Sequence, residues 1–109
     1  MQLSGYRFMW LLVMFDLPVD DAKARKAYTR FRKALLKDGF AKMQYSVYVR
    51  HCASRENAEV HEARVGAWVP PEGEVRILRI TDKQYERMTV FWGKKRRKPE
   101  KPPAQLELF

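Results

Sequence analysis

Asp16 closes an unbroken apolar run from Phe8 to Phe15, and that position makes it the first candidate for chemistry. A carboxylate at the mouth of a core can face water or a metal, whereas one inside the run would have to be desolvated. Magnesium commonly takes one or two protein carboxylates and completes its shell with waters and phosphate oxygens. Asp16 alone is therefore an incomplete site, and a two-fold axis near the strand end would complete it with a second copy. The plainer alternative is that Asp16 forms the turn before Leu17-Pro18, with the nearby Asp20 and Asp21 acting as helix caps.

The second candidate is a row of cations. Lys23, Lys26, Arg30, Lys33 and Lys37 follow helical spacing, so they share one face of a helix. Fourteen residues at helical rise make a stripe about 21 Å long. B-form DNA carries one charge per roughly 1.7 Å of axis, so several phosphates lie within its reach. Such a stripe holds backbone rather than reading sequence, and its bland alternative is a solvated helix face. The whole chain leans the same way: 22 Lys and Arg against 13 Asp and Glu leave a net charge of +9. That excess favours a polyanion through counterion release, with nucleic acid the better match and a membrane surface the weaker one.

Other combinations carry less. His51, Cys52 and His61 do not have zinc-ligand spacing, and a structural or surface role is the expectation. No phosphate-binding loop, dinucleotide fingerprint or serine elbow is present, and the aromatics do not assemble the signature of an RNA-recognition sheet. A single cysteine, Cys52, cannot form an internal disulfide, which points to a reducing cytoplasm. Arg7 and the apolar run imitate a signal peptide, but no small-residue cleavage site follows, and the run is too short to span a membrane.

The elements that must position these residues can be read from periodicity. Residues 8–16 form a strand buried on both faces. A helix follows from a cap at Asp20 or Asp21, with Ala24, Ala27, Tyr28, Phe31, Ala34 and Leu35 on its apolar face and Gly39 as its stop. From Ala41 to His51 the residues alternate as in a strand, with Met43, Tyr45, Val47 and Val49 on one side and Gln44, Ser46, Tyr48 and Arg50 on the other. Ser54 caps a second helix over about 55–68, carrying Ala58, Val60, Val65 and Trp68. Pro70-Pro71-Glu72-Gly73 is a turn, Glu74 to Ile80 a strand interrupted by Thr81-Asp82-Lys83, and Met88 to Trp92 a further short strand. The order predicts a ferredoxin-like α+β sandwich with a split β-α-β pattern, an antiparallel sheet and both helices on one face. Trp10, Met14, Tyr45 and Tyr48 would leave the other face apolar, so a homodimer through the sheet face is expected.

The domain is thus assigned to residues 1–92. Residues 93–104 read as a flexible, basic, Pro-rich linker, and 105–109 as a strand-like docking segment whose Leu106, Leu108 and Phe109 would pair with an exposed sheet edge.

Five segments in order carry a likeness: Met14-Phe15-Asp16-Leu17-Pro18, Arg30-Phe31-Arg32-Lys33, Gln44-Tyr45-Ser46-Val47-Tyr48, Pro70-Pro71-Glu72-Gly73 and Thr81-Asp82-Lys83-Gln84-Tyr85. Over about residues 8–92 the chain resembles the CRISPR-associated protein 2 family, and its type II branch most. The resemblance implies a homodimer that bridges dimers of the CRISPR integrase during spacer acquisition and holds double-stranded DNA. It also implies that Asp16 matches the strand-end aspartate that binds a divalent metal, magnesium, in some members. Members are described as metal-dependent endoribonucleases or DNases, which would make Asp16 catalytic, whereas the adaptation role is architectural. The final strand of the family docks across the dimer or onto the integrase, a role that would fall to Leu106, Leu108 and Phe109.

Overall fold

The computed structural model describes residues 8–103. Strand β1 (Met9–Asp16) leads to helix α1 (Ala22–Lys37), then β2 (Ala41–Gln44), β3 (Val47–Cys52), α2 (Arg55–Trp68) and β4 (Glu74–Thr81). The strands form one antiparallel sheet in the order β2-β3-β1-β4. This is the expected α+β arrangement, with β1 central because its side chains are apolar on both faces. Met9, Leu11, Val13 and Phe15 face the helices and join Phe31 and Leu35 of α1 and Ala58 and Val65 of α2. The Phe15 and Phe31 rings meet edge to face at 5.1 Å, fixing α1 against the sheet.

Local rules explain the helix ends. Asp21 caps α1 by accepting from the Ala24 amide, and Ser54 caps α2 by accepting from Asn57. Past the end of α1, the Phe40 amide donates to the Leu35 carbonyl. Asp38 then ties three elements together. Its carboxylate lies 2.6 Å from His61 Nδ1 and accepts from Arg64 at 2.8 Å, while its carbonyl accepts from Arg50 Nε at 2.8 Å. His61 accordingly takes the inward position on α2, and Val60, expected there, is 49% exposed.

Three expectations change. The stretch from Ala41 to His51 is a hairpin rather than one strand, broken at Tyr45-Ser46, where Ser46 takes a positive φ of 60°. Met43 and Val49 keep a common face across the break, but the opposite face is the helix side: Tyr48 is in the core there at 2% exposure, while Tyr45 sits at the turn, 73% exposed. Thr81-Asp82-Lys83 does not merely interrupt β4. It opens a short helix, α3 (Asp82–Glu86), through a reciprocal capping box between Thr81 and Gln84. Finally, Val90–Trp92 is not a strand of the main sheet. It is β5, and it pairs with β6 (Lys95–Arg97) inside the segment read as linker. Leu106, Leu108 and Phe109 lie outside the described residues.

Helix α3 also changes the second face of the sheet. Tyr85 stacks on Trp10 at 3.8 Å, and the Trp10 indole donates to Asp82 at 2.6 Å. Trp10, Leu12, Val49 and Tyr85 are consequently buried, and Met43, Ile80 and Met88 pack around them. The apolar surface left on this face lies toward the other end, at half-buried Met14 and at Leu78, 47% exposed.

This cluster contains a pH-sensitive group. His51 stacks on Phe8 and lies edge-on to Trp10, and its Nε2 makes no hydrogen bond although Asp82 Oδ1 is 3.5 Å away. That oxygen already accepts from Trp10. Burial pushes the imidazole below its ordinary value; the Arg50 charge adds to this, and Asp82 opposes it without prevailing. As pH falls below about 6.5, the unfolded chain takes up the proton first, so the folded state loses stability on acidification. Denaturant midpoints of wild type and His51→Gln should therefore converge as pH drops from about 7 to about 5, the wild type losing more. Parallel curves would show that His51 does not titrate in this window.

Candidate functional site

The α1 stripe is built as its spacing predicts. The apolar residues Phe31 and Leu35 are buried against the sheet, which turns Lys23, Lys26, Arg30, Lys33 and Lys37 outward, and all five are exposed. Among the described residues, none of them is within ion-pair distance of a carboxylate. They do not act as one set, however. Lys26, Arg30 and Lys33, joined by Arg25, line an open groove of about 580 Å³ floored by Ala22 and Thr29. Lys23 instead borders a smaller hollow of about 320 Å³ with Asp20, Asp21 and Glu72, which offset its charge. Lys37 borders neither hollow.

Arg25 escapes the spacing rule because it sits one residue off the stripe. Its guanidinium also donates to the Val19 carbonyl at 3.2 Å, which holds the side chain near the start of the helix. The first turn of α1 has no acidic residue and carries Lys23 and Arg25. A helix N-terminus favours negative charge, so this placement goes against local stability. The Asp21 carboxylate that caps the helix start offsets part of that cost, and the positive charge of the groove comes from the side chains of Arg25, Lys26, Arg30 and Lys33.

Asp16 is the last residue of β1, exposed, and on the sheet face opposite α1 and α2. Its partner across the ladder is Glu74, the first residue of β4. Directly opposed residues of an antiparallel pair share a face, so two carboxylates stand side by side. Arg76, two residues along β4, grips Glu74 with both arms of its guanidinium at 3.0 and 3.2 Å. That hydrogen bonding and charge hold the Glu74 carboxyl below the usual carboxylate range. Two residues on one strand face, Glu74 and Arg76, are a signal present in the sequence; that they face Asp16 depends on the pairing of β1 with β4.

The donor set suits a loosely held hard cation. Asp16 and Glu74 offer oxygen ligands at one edge, enough for the one or two carboxylates magnesium takes from a protein, although Arg76 competes for Glu74. Among the described residues no group of three or more His, Cys, Asp or Glu is arranged so that it could hold a metal ion. Cys52 is buried and its thiol is pushed up by that burial, which leaves it a poor nucleophile. No helix among the described residues is long and apolar enough to cross a membrane.

Residues 9–88, from β1 to just past α3, match the model of the family described as CRISPR associated protein Cas2. The chain belongs to this family. The Cas2 relatives include a protein of Parvibaculum lavamentivorans that is 64% identical over 101 residues, covering 93% of this chain and all of the relative. Another, from Flavobacterium psychrophilum, is 51% identical over 108 residues, covering 99% of this chain and 94% of its own length. Both carry the name CRISPR-associated endoribonuclease Cas2. A solved structure described as a crystal structure of Cas2 superposes with a TM-score of 0.54 at 24% identity, over 80% of this chain and 91% of the other. At that identity it speaks for the Cas2 fold alone.

Proposed function

We propose that this Cas2-family chain is a DNA-binding scaffold of the CRISPR spacer-acquisition complex, a cytoplasmic homodimer that bridges integrase dimers and holds duplex DNA. The observation that carries the reading is the α1 groove, where Arg25, Lys26, Arg30 and Lys33 converge without carboxylate partners. A row of exposed cations along a rigid helix grips phosphates at fixed spacing and has no means of cutting them. The bare Met14 and Leu78 end of the sheet supports a second copy packing there, which would bring the two Asp16 residues close to the dimer axis.

The second reading is a magnesium-dependent endonuclease, acting on RNA or DNA, with Asp16 as the metal ligand and catalytic carboxylate. The names of the relatives and the Asp16–Glu74 pair favour it. Magnesium at this edge would supply Lewis acidity toward a phosphodiester; Asp16 would hold it, and Arg76 would restrain Glu74 from moving onto it. Against this, phosphodiester cleavage by paired metals normally recruits more carboxylates than this edge offers.

Spacer integration in vitro with the cognate integrase separates the two, comparing no added protein, wild type and Asp16→Ala. The scaffold reading expects integration that requires the protein and survives Asp16→Ala with little change. Loss of integration by a folded, dimeric Asp16→Ala would move the carboxylate to the centre of the mechanism. Integration that proceeds equally well without the protein would sink the scaffold.

A further inference from the structure

The segment after α3 combines features found in neither α1 nor the sheet. β5 and β6 form a two-residue hairpin turned at Gly93-Lys94, and Gly93 holds the φ of 62° that such a turn needs at its first position. The ladder pairs Phe91 with Arg96 and Trp92 with Lys95. Both aromatics are exposed, Phe91 by 60% and Trp92 by 66%. An ordinary exposed Trp on a short ribbon loses hydrophobic free energy and invites aggregation, so its position here calls for a partner. Arg97 lies over the Trp92 ring at 4.8 Å from its centroid, which steadies the indole and leaves its opposite face open. From Lys94 to Lys98 every residue is a cation and every one is exposed. The far end of the hairpin is anchored: Glu100 accepts from the Tyr85 hydroxyl at 2.7 Å, tying the returning chain to α3.

We infer that the β5–β6 hairpin binds single-stranded DNA, with a base stacked on the open face of Trp92 and neighbouring phosphates held by Lys94, Lys95 and Arg96. The juxtaposition of an aromatic platform with an uncompensated cationic rim is what a single strand requires. Bases have apolar faces that a duplex hides, and their phosphates follow at intervals the rim can meet. An apolar protein partner would satisfy the two aromatics but would have to desolvate five cations. The choice of DNA rests on the scaffold reading, in which the α1 groove holds duplex. The hairpin is a second surface for a different form of the same polymer, and the two surfaces stand or fall separately.

The test titrates a thymidine oligonucleotide of about 15 nucleotides, and separately a blunt duplex, into wild type, Trp92→Ala, Trp92→Leu and Trp92→Phe. Loss of one stacked base corresponds to roughly 5- to 150-fold weaker binding, so Trp92→Ala and Trp92→Leu should lose about tenfold or more for the oligonucleotide. Trp92→Phe should keep most of the affinity while losing much of the tryptophan quenching that accompanies binding. Duplex affinity should be unchanged in all three. Equal oligonucleotide binding by wild type and Trp92→Ala, or affinity retained by Trp92→Leu, overturns the inference, as does an equal loss for duplex and single strand. Absence of oligonucleotide binding by the wild type overturns it too. Tighter, Trp92-dependent binding of a uridine oligonucleotide would overturn DNA as the occupant. A parallel Lys26→Ala/Arg30→Ala arm reports on the α1 groove, so a failed groove and a failed hairpin give different patterns.

Discussion

Replacing Lys26 and Arg30 together by Ala is expected to weaken duplex DNA binding roughly tenfold to thirtyfold near physiological salt and to flatten the salt dependence. Each phosphate that is no longer neutralised should reduce the slope of log K against log salt by about 0.9, so two per protomer would be plain in a titration over a modest range. Location is the reason: both side chains line the same groove, both are exposed, and neither has a carboxylate to share its charge with. The substitutions leave the fold in place, because Ala is at least as good a helix former as the residues it replaces and the buried face of α1 is Phe31 and Leu35. An unchanged melting temperature beside weakened binding is therefore part of the expected result. Lys83→Ala, a cation of α3 on the opposite side of the sheet, is the control and should leave the slope nearly as it was. A double variant whose slope matches wild type would remove the α1 groove from the DNA path. Lys23→Ala should do less than either groove residue, since Asp20, Asp21 and Glu72 surround the hollow it borders.

Gly73→Ala should be the most damaging small substitution near the candidate metal edge, costing about 3 kcal/mol of stability. Gly73 has a φ of +100°, and a Cβ there would stand 2.6 Å from Leu17 Cδ2 and 2.8 Å from the Asp16 carbonyl oxygen. The clash with a backbone atom cannot be relieved by a side-chain rotation. Either the Pro70–Gly73 turn or the end of β1 must move, and with it the register that sets Asp16 against Glu74. For a domain of this size the melting temperature should fall on the order of 15 °C, measured by thermal denaturation. Gly66→Ala supplies the contrast. Gly66 lies within α2 with nothing within 4 Å of the added methyl, so that change should stabilise by roughly 0.5–1 kcal/mol through helix propensity and unfolded-state entropy. Opposite signs for the two glycines are expected. A Gly73→Ala protein as stable as wild type would mean that the turn is not packed on β1.

Local signals in the chain were enough for β1, for α1 and α2 with their caps, and for the outward cationic face of α1. Those features depend on neighbours a few residues apart: the continuous apolar run ending at Asp16, the i, i+3, i+4 spacing of Phe31 and Leu35 against Lys26, Arg30 and Lys33, the oxygen of Asp21 or Ser54 ahead of a helix. The order of elements then left few ways to build the sheet. Which side of an alternating stretch meets the helices is not a local property. Met43 and Val49 share a face across the Tyr45-Ser46 turn, but the pairing of β3 with β1 sets Tyr48 beside Val13 on the helix side, and Tyr48 moved from expected surface to core. The capping box that makes Thr81–Glu86 a covering helix is written in Thr81 and Gln84, but its value comes from the Trp10 it lands on, seventy-odd residues away in sequence. The same holds for the site. That Asp16 is a strand-end carboxylate follows from the order of residues; that Glu74 stands beside it, restrained by Arg76, requires β4 to pair with β1. Lys23 belongs to the stripe by spacing and leaves it by electrostatics, because the Pro70–Glu72 turn brings a carboxylate to its side. The Phe91-Trp92 and Lys94–Arg97 segments have the composition of a tether, and hydrogen bonding between them makes them a platform. Periodicity specifies which side of an element is apolar, while long-range pairing and packing choose which charges and rings end up together, since those free energies exist only after distant segments meet.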